Sequence, residues 1–335
     1  MASKGRLITV EPLAVLYGFA VGIVFIGQTI YIEERLANDR NYTLDKGNSE
    51  NGTCATQNSS DPDYVTQQEI AAELATWVMI NTALSFLPVV FVAPFYGALC
   101  DRYGRKLNFV IPLLAHILCS TIVLLTVYLQ LPLAVLTLGN FVMGLGGNNS
   151  FFEAGYLTYI SDISTEKSRL VRMAIVQMLL ILSVGSIQIP VSYLFSVSIP
   201  AVFWTEMAII FAALLYVTIP GILEEPVCVQ DTKDPISFKE ITQNVYNLFA
   251  VNTEGRRYRL VLLFVIYFFT ALFHLSAGAS AIYGLYGLGP PFCWSARTLS
   301  LFNLTLLAFS AAGKYSICPK KHDILAKISL WIIIH

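Results

Sequence analysis

Two groups of residues in this chain have types and spacings suited to chemistry. The first is a set of ionisable and amide side chains inside long apolar runs. Glu153 stands one turn after Asn149 and just before Tyr156, so the three share a helix face at i, i+4, i+7 spacing. A carboxylate buried in apolar surroundings holds a proton more readily and can carry one. The alternative is a structural carboxylate hydrogen-bonded to Asn or Tyr. Glu206 falls nearer the outer end of its run, where a snorkelled surface position is the favoured reading. His274 could titrate in an acidic compartment or pack as a neutral ring, and His116 is a weaker candidate of the same kind. Gln177, Gln188, Asn81 and Asn140 can hydrogen-bond a solute or a neighbouring helix. The second group is the stretch Gly97 to Lys106, which sets Asp101, Arg102, Gly104, Arg105 and Lys106 between two apolar runs. Such a stretch is a tight charged turn at a membrane surface.

The elements that must position these residues are membrane helices. Of 335 residues, 56% are apolar and 13% charged, against about 25% charged in a soluble domain. Mean hydropathy is +0.64, and several runs reach the roughly 20 residues needed to cross a bilayer. The apolar runs predict spans over 10–32, 77–99, 108–129, 133–160, 172–194, 200–223, 260–288 and 298–315. The first run is too long for a signal-peptide core and lacks a cleavage site, so it reads as a span. Pro12 suits its first turn, Glu11 suits its amino terminus, and Gly18, Gly22 and Gly27 suit close helix packing. The fourth run is interrupted by Gly144 to Asn149; such a cluster at membrane depth is tolerated only against protein or a water-filled cavity.

Orientation follows from charge and sequons. With both ends inside, only Arg35, Arg40, Lys46 and Arg297 of the 21 Lys and Arg fall outside, as the positive-inside rule requires. Residues 33–75 form a polar loop with sequons at Asn41, Asn51 and Asn58, which places it on the luminal or extracellular side. Only Cys54 and Cys293 then face the oxidising side; they form a disulfide or stand as two free thiols. The net charge of −1 gives no sign of a nucleic-acid partner. No phosphate-binding loop, nucleophile–base pair or metal-ligand spacing is present, so the chain does not read as an enzyme and implies no cofactor or metal.

The string G-x-x-x-D-R-x-G-R-K at Gly97 to Lys106, at the exit of the second span, resembles the loop 2–3 signature of the major facilitator superfamily. Further pieces resemble the solute carrier 46 family, which includes a proton-coupled folate transporter and lysosomal members. These are Val10-Glu11-Pro12, Cys54 with Asp61-Pro62, Ser161 to Ser164, Ser168-Arg169, Arg172 to Ala174, Phe203-Trp204, Leu285-Tyr286 and Pro291 to Trp294. The resemblance implies an all-α fold of two six-helix halves around a central site, with alternating access by rocking of the halves. It implies a cytoplasmic latch in which Arg105 pairs with Asp162 and Asp101 meets a helix amino terminus in the second half. It also implies the Cys54–Cys293 disulfide. The carboxylates that the folate-transporting branch carries in spans 5 and 4 fall on Gln177 and Asn148, its span-4 arginine on Asn140, and its span-7 histidine on Ser276. A glutamine cannot carry a coupling proton, so the lysosomal members are the closer guide.

The expected organisation is a complete six-helix bundle over 1–223, a cytoplasmic linker over 224–259 and a partial second bundle over 260–335. About eight of the family's twelve spans are then present. The expected function is proton-coupled transport of a small organic solute in a lysosomal or plasma membrane. The alternative is a truncated, non-transporting product with a regulatory or structural role. Expected partners are membrane lipid, the solute and protons; the sequence sets no oligomeric state.

Overall fold

The computed structural model describes residues 9–42, 62–223 and 225, with scattered positions between 242 and 309. Seven helices make up the continuous part: α1 (Glu11–Asp39), α2 (Pro62–Tyr103), α3 (Leu107–Leu129), α4 (Ala134–Leu145), α5 (Asn148–Ile163), α6 (Glu166–Val197) and α7 (Ile199–Thr218). No strand occurs among the described residues. Five of these helices (α1, α2, α3, α6 and α7) are long and apolar enough to cross a membrane. Neither α4 nor α5 alone reaches that length; together they cover the interrupted run expected as the fourth span. The expected all-α membrane architecture is therefore present, and the second-half spans expected beyond residue 260 lie outside the continuous description.

Helix boundaries differ from the hydropathy limits in one instructive way. The first span was expected to end at Ile32 and the second to begin at Trp77, yet α1 runs on to Asp39 and α2 starts at Pro62. Hydropathy marks where a helix leaves apolar surroundings, not where its hydrogen bonding stops. The polar extensions are held by ion pairs, Arg35 Nε to Asp39 at 3.4 Å within α1 and Arg40 Nη2 to Glu73 at 2.8 Å between α1 and α2. The loop expected over 33–75 thus shrinks to the segment between the two helices. Asn41 sits at its base, exposed and with φ of 52°. Asn51, Asn58 and Cys54 lie outside the described residues.

The bundle is built on α1, which packs against α6 and α7, while α3 packs on α4 and α7 and α2 on α4. Close approach of α1 and α6 depends on the expected glycines. A β-carbon at Gly18 would lie 2.8 Å from Leu180 O, and one at Gly22 would lie 2.6 Å from Val184 O. One apolar core joins Leu13, Tyr17, Phe109, Phe152, Tyr156 and Ile210; a second, towards the α1–α2 loop, joins Tyr31, Leu74, Val123, Leu136 and Phe203. The outer face of α2 keeps Leu87, Val90 and Phe91 exposed, as suits a surface turned to lipid or to a further helix layer.

The break in the fourth crossing is a stop and a restart. Gly147 adopts φ of 88° and Asn148 φ of 49°, both left-handed, between the end of α4 and the first turn of α5. Pro88 in α2 has no N–H to give its preceding turn, and the carbonyls of Leu84 and Ser85 there press on Gly144: a β-carbon would meet them at 3.0 and 2.6 Å. Asn148 Nδ2 donates to Ser85 O at 3.4 Å. The exposed backbone is thus covered by α2, which satisfies the requirement for irregular backbone at membrane depth.

Candidate functional site

The helix break gathers the first cluster. Asn148 turns its side chain back so that Oδ1 accepts from the Asn149 amide at 2.7 Å, which fixes the start of α5. Asn149 Oδ1 then accepts from the Tyr17 hydroxyl of α1 at 2.8 Å. The Tyr17 ring stacks on Phe152 with centroids 3.7 Å apart, so the hydroxyl cannot swing freely. Two turns along α5, the Tyr156 hydroxyl donates to Gln177 Oε1 of α6. Glu153, half-buried, lies between these contacts and interacts electrostatically with both Tyr17 and Tyr156. The sequence pattern of Asn149, Glu153 and Tyr156 on one face is realised, and Gln177 joins it. Tyr17 was missed. Its signal was a tyrosine one residue before a packing glycine, since a buried Tyr hydroxyl requires a partner.

The charged turn forms a second cluster. Cys100 O accepts from the Gly104 amide at 3.1 Å as α2 ends, and Gly104 takes φ of 117°, a conformation that disfavours any side chain. Arg105 Nε donates to Asp162 Oδ2 at 2.9 Å, the expected pair. Asp101, expected to reach a helix of the second half, also pairs with Arg105, one turn away on the same strand of chain. Partial burial disfavours the guanidinium charge, but the hydrogen bonds and charges of Asp162 and Asp101 outweigh it and hold the pKa above the ordinary arginine value. The Arg102 guanidinium lies over the Tyr103 ring at 5.9 Å. Gly97 faces open space. It borders a cavity of about 290 Å³ lined by Val89, Ala93, Cys100, Ser150 and Phe151.

An unexpected residue completes this turn. Glu225, just past α7, accepts hydrogen bonds from the amides of Arg105 and Lys106, the latter at 3.1 Å. These are orphan donors at the start of α3, where a carboxylate is the natural cap. Nothing in the sequence separates Glu225 from a solvated linker acid, since capping across such a separation leaves no local pattern. On the same membrane side, Arg172 of α6 pairs with Glu11 Oε1 at 3.1 Å, and Glu11 Oε2 accepts from the Thr9 amide at 2.6 Å. The expected terminal cap of α1 is therefore also a tie between two helices.

Glu206 corrects the sequence reading. It is not a snorkelled surface carboxylate: it and His116 are both 0% exposed, with Nε2 and Oε1 2.8 Å apart. The Ser120 hydroxyl also bonds Glu206 Oε1. Helical periodicity places Glu206 near the end of its run, but the rotation of α7 against α3 turns it inward. It is separate from the Glu153 cluster. His274 and Cys293 lie outside the described residues, and so does the Cys54–Cys293 pairing. No group of three or more metal-ligating side chains occurs among the described residues.

Comparison with known proteins agrees with this architecture. Residues 58–334 match the Major Facilitator Superfamily. The chain is 26% identical to the lysosomal proton-coupled steroid conjugate and bile acid symporter SLC46A3 of Gallus gallus, covering 94% of this chain and 70% of the relative. It is 28% identical to the protein of the same name in Mus musculus, covering 85% and 63%. It is 26% identical to the proton-coupled folate transporter of Rattus norvegicus, covering 94% and 71%. The chain thus spans about two-thirds of the length of the curated relatives it matches, which are the solute carrier 46 proteins its motifs resemble. Matched over most of its length, all-helical and carrying the charged loop signature between its second and third crossings, the chain belongs to the Major Facilitator Superfamily.

Proposed function

We propose that this integral membrane protein is a secondary transporter of a small organic solute, coupled to protons and working by alternating access. The observation that carries the reading is the placement of Glu153. It stands one turn past a helix break, between Tyr17–Asn149 on one side and Tyr156–Gln177 on the other. Three helices converge there with an ionisable group among neutral hydrogen-bonding groups. Such a residue at membrane depth is a functional site by default. Here Gln177 is a neutral amide, so Glu153 takes the proton and the amides and hydroxyls take the solute. The names of the relatives support a proton-coupled reading, and those of the lysosomal ones point to steroid conjugates as the first solutes to try. The Arg105–Asp162–Asp101 network holds the cytoplasmic side closed.

The test is uptake by the 335-residue chain in proteoliposomes, with a labelled steroid sulfate as probe and the pH set independently on each side. Acid on the luminal side should stimulate uptake. Glu153→Gln should remove that stimulation, a loss of about ten- to a hundredfold, the equivalent of one hydrogen bond to a charged group. Correctly inserted protein that moves no solute under any pH gradient would overturn the reading.

A further inference from the structure

The buried pair His116–Glu206 is not used in that reading. Glu206 on α7 and His116 on α3 are fully buried, with Nε2 2.8 Å from Oε1. The close approach does not have the geometry of a directed hydrogen bond, and His116 Nδ1 and Glu206 Oε2 also lack hydrogen-bond partners. The Ser120 hydroxyl sits within hydrogen-bond reach of two acceptors. One is Glu206 Oε1; the other is the carbonyl oxygen of His116, at 2.9 Å. A hydroxyl has one proton to give and rotates to suit its surroundings.

We propose that His116, Ser120 and Glu206 form a proton-binding site inside the bundle, separate from Glu153. With Glu206 ionised, the Ser120 O–H donates to Oε1. When a proton arrives on Oε1, that O–H donates to Ser120 Oγ, and the Ser120 proton turns to the His116 carbonyl. In both states the Ser120–Glu206 pair stays hydrogen-bonded. An ionised Glu206 beside a neutral imidazole is an uncompensated buried charge, which is costly; one proton bound on Oε1 makes the group neutral. Among the described residues, the other titratable side chains facing it are Tyr17 from α1 and Cys119 from α3 itself. Asn140 from α4 and Gln28 from α1, joined at 3.1 Å, add only amide dipoles.

The site connects to the helix break. The Tyr17 ring meets the His116 ring at 6.0 Å and 83°, and the Tyr17 hydroxyl holds Asn149. Loading or unloading the pair therefore acts on Tyr17, whose hydroxyl holds Asn149 in the first turn of α5. This deepens the proton-linked reading and rests on it only for the use of the proton in transport.

The experiment measures proton binding directly on the full chain in nanodiscs, by infrared difference spectra between neutral and lysosomal acidity. Acidification should produce a protonated-carboxyl C=O band that Glu206→Gln lacks and Glu153→Gln retains. Ser120→Ala keeps both titrating groups and should shift that band in frequency and in pH midpoint. Should Glu206→Gln fail to fold, Ser120→Ala decides alone. An unchanged spectrum in Glu206→Gln, or an unshifted band in Ser120→Ala, overturns the proposal. Because no solute is moved, the result is independent of whether the chain transports.

Discussion

Glu225 shows how one side chain can define a surface that no local pattern marks. Its carboxylate covers two amides at the start of α3, next to a glycine held at φ of 117°. Replacing it with alanine should cost about 0.5–2 kcal/mol, the range for a lost helix cap, read as a lower melting temperature in detergent. An unchanged melt would mean that water serves those amides equally well. The legibility of the neighbouring residues was uneven for physical reasons. Arg105 and Asp162 could be paired because the resemblance of the charged turn to the superfamily signature implies a partner acid at the end of span 4. Glu225 could not, because an acid after a span looks like any linker acid. His116 and Glu206 were visible as polar residues in apolar runs, but their contact depends on how α3 and α7 are rotated against each other, which periodicity within one helix does not fix.

At the scale of elements, the crossings themselves were readable and their ends were not. The interruption of the fourth was read correctly from Gly144 to Asn149, because glycine and asparagine in an apolar run have few other uses. The structure adds how tightly that interruption is specified. Gly147→Ala would place a β-carbon 2.5 Å from that of Phe151 at a φ of 88°. The left-handed conformation alone costs a non-glycine residue about 1–2 kcal/mol. The variant should melt lower than wild type, and more so than Gly97→Ala, whose β-carbon meets nothing within 4 Å. Equal melts for the two would show that the break tolerates a side chain.

For the whole molecule, the positive-inside count and the sequons assign the same face, and the ion-paired extensions of α1 and α2 place Asn41 beyond the apolar part of the bundle. Expression in a glycosylating cell should yield a band that sharpens and moves on enzymatic deglycosylation, with Asn41→Gln removing part of the shift. A band that does not move would reverse or discard the assigned orientation. The interrupted crossing bears on fit to the bilayer as well as on the site. Its halves have 12 and 16 residues, which as one straight helix would be about 42 Å long, well over the roughly 30 Å of a hydrocarbon core. A straight rod of that length would have to tilt or thicken the lipid around it. The stop and restart at Gly147 divides that length between two shorter helices, so the crossing need not behave as one rigid rod.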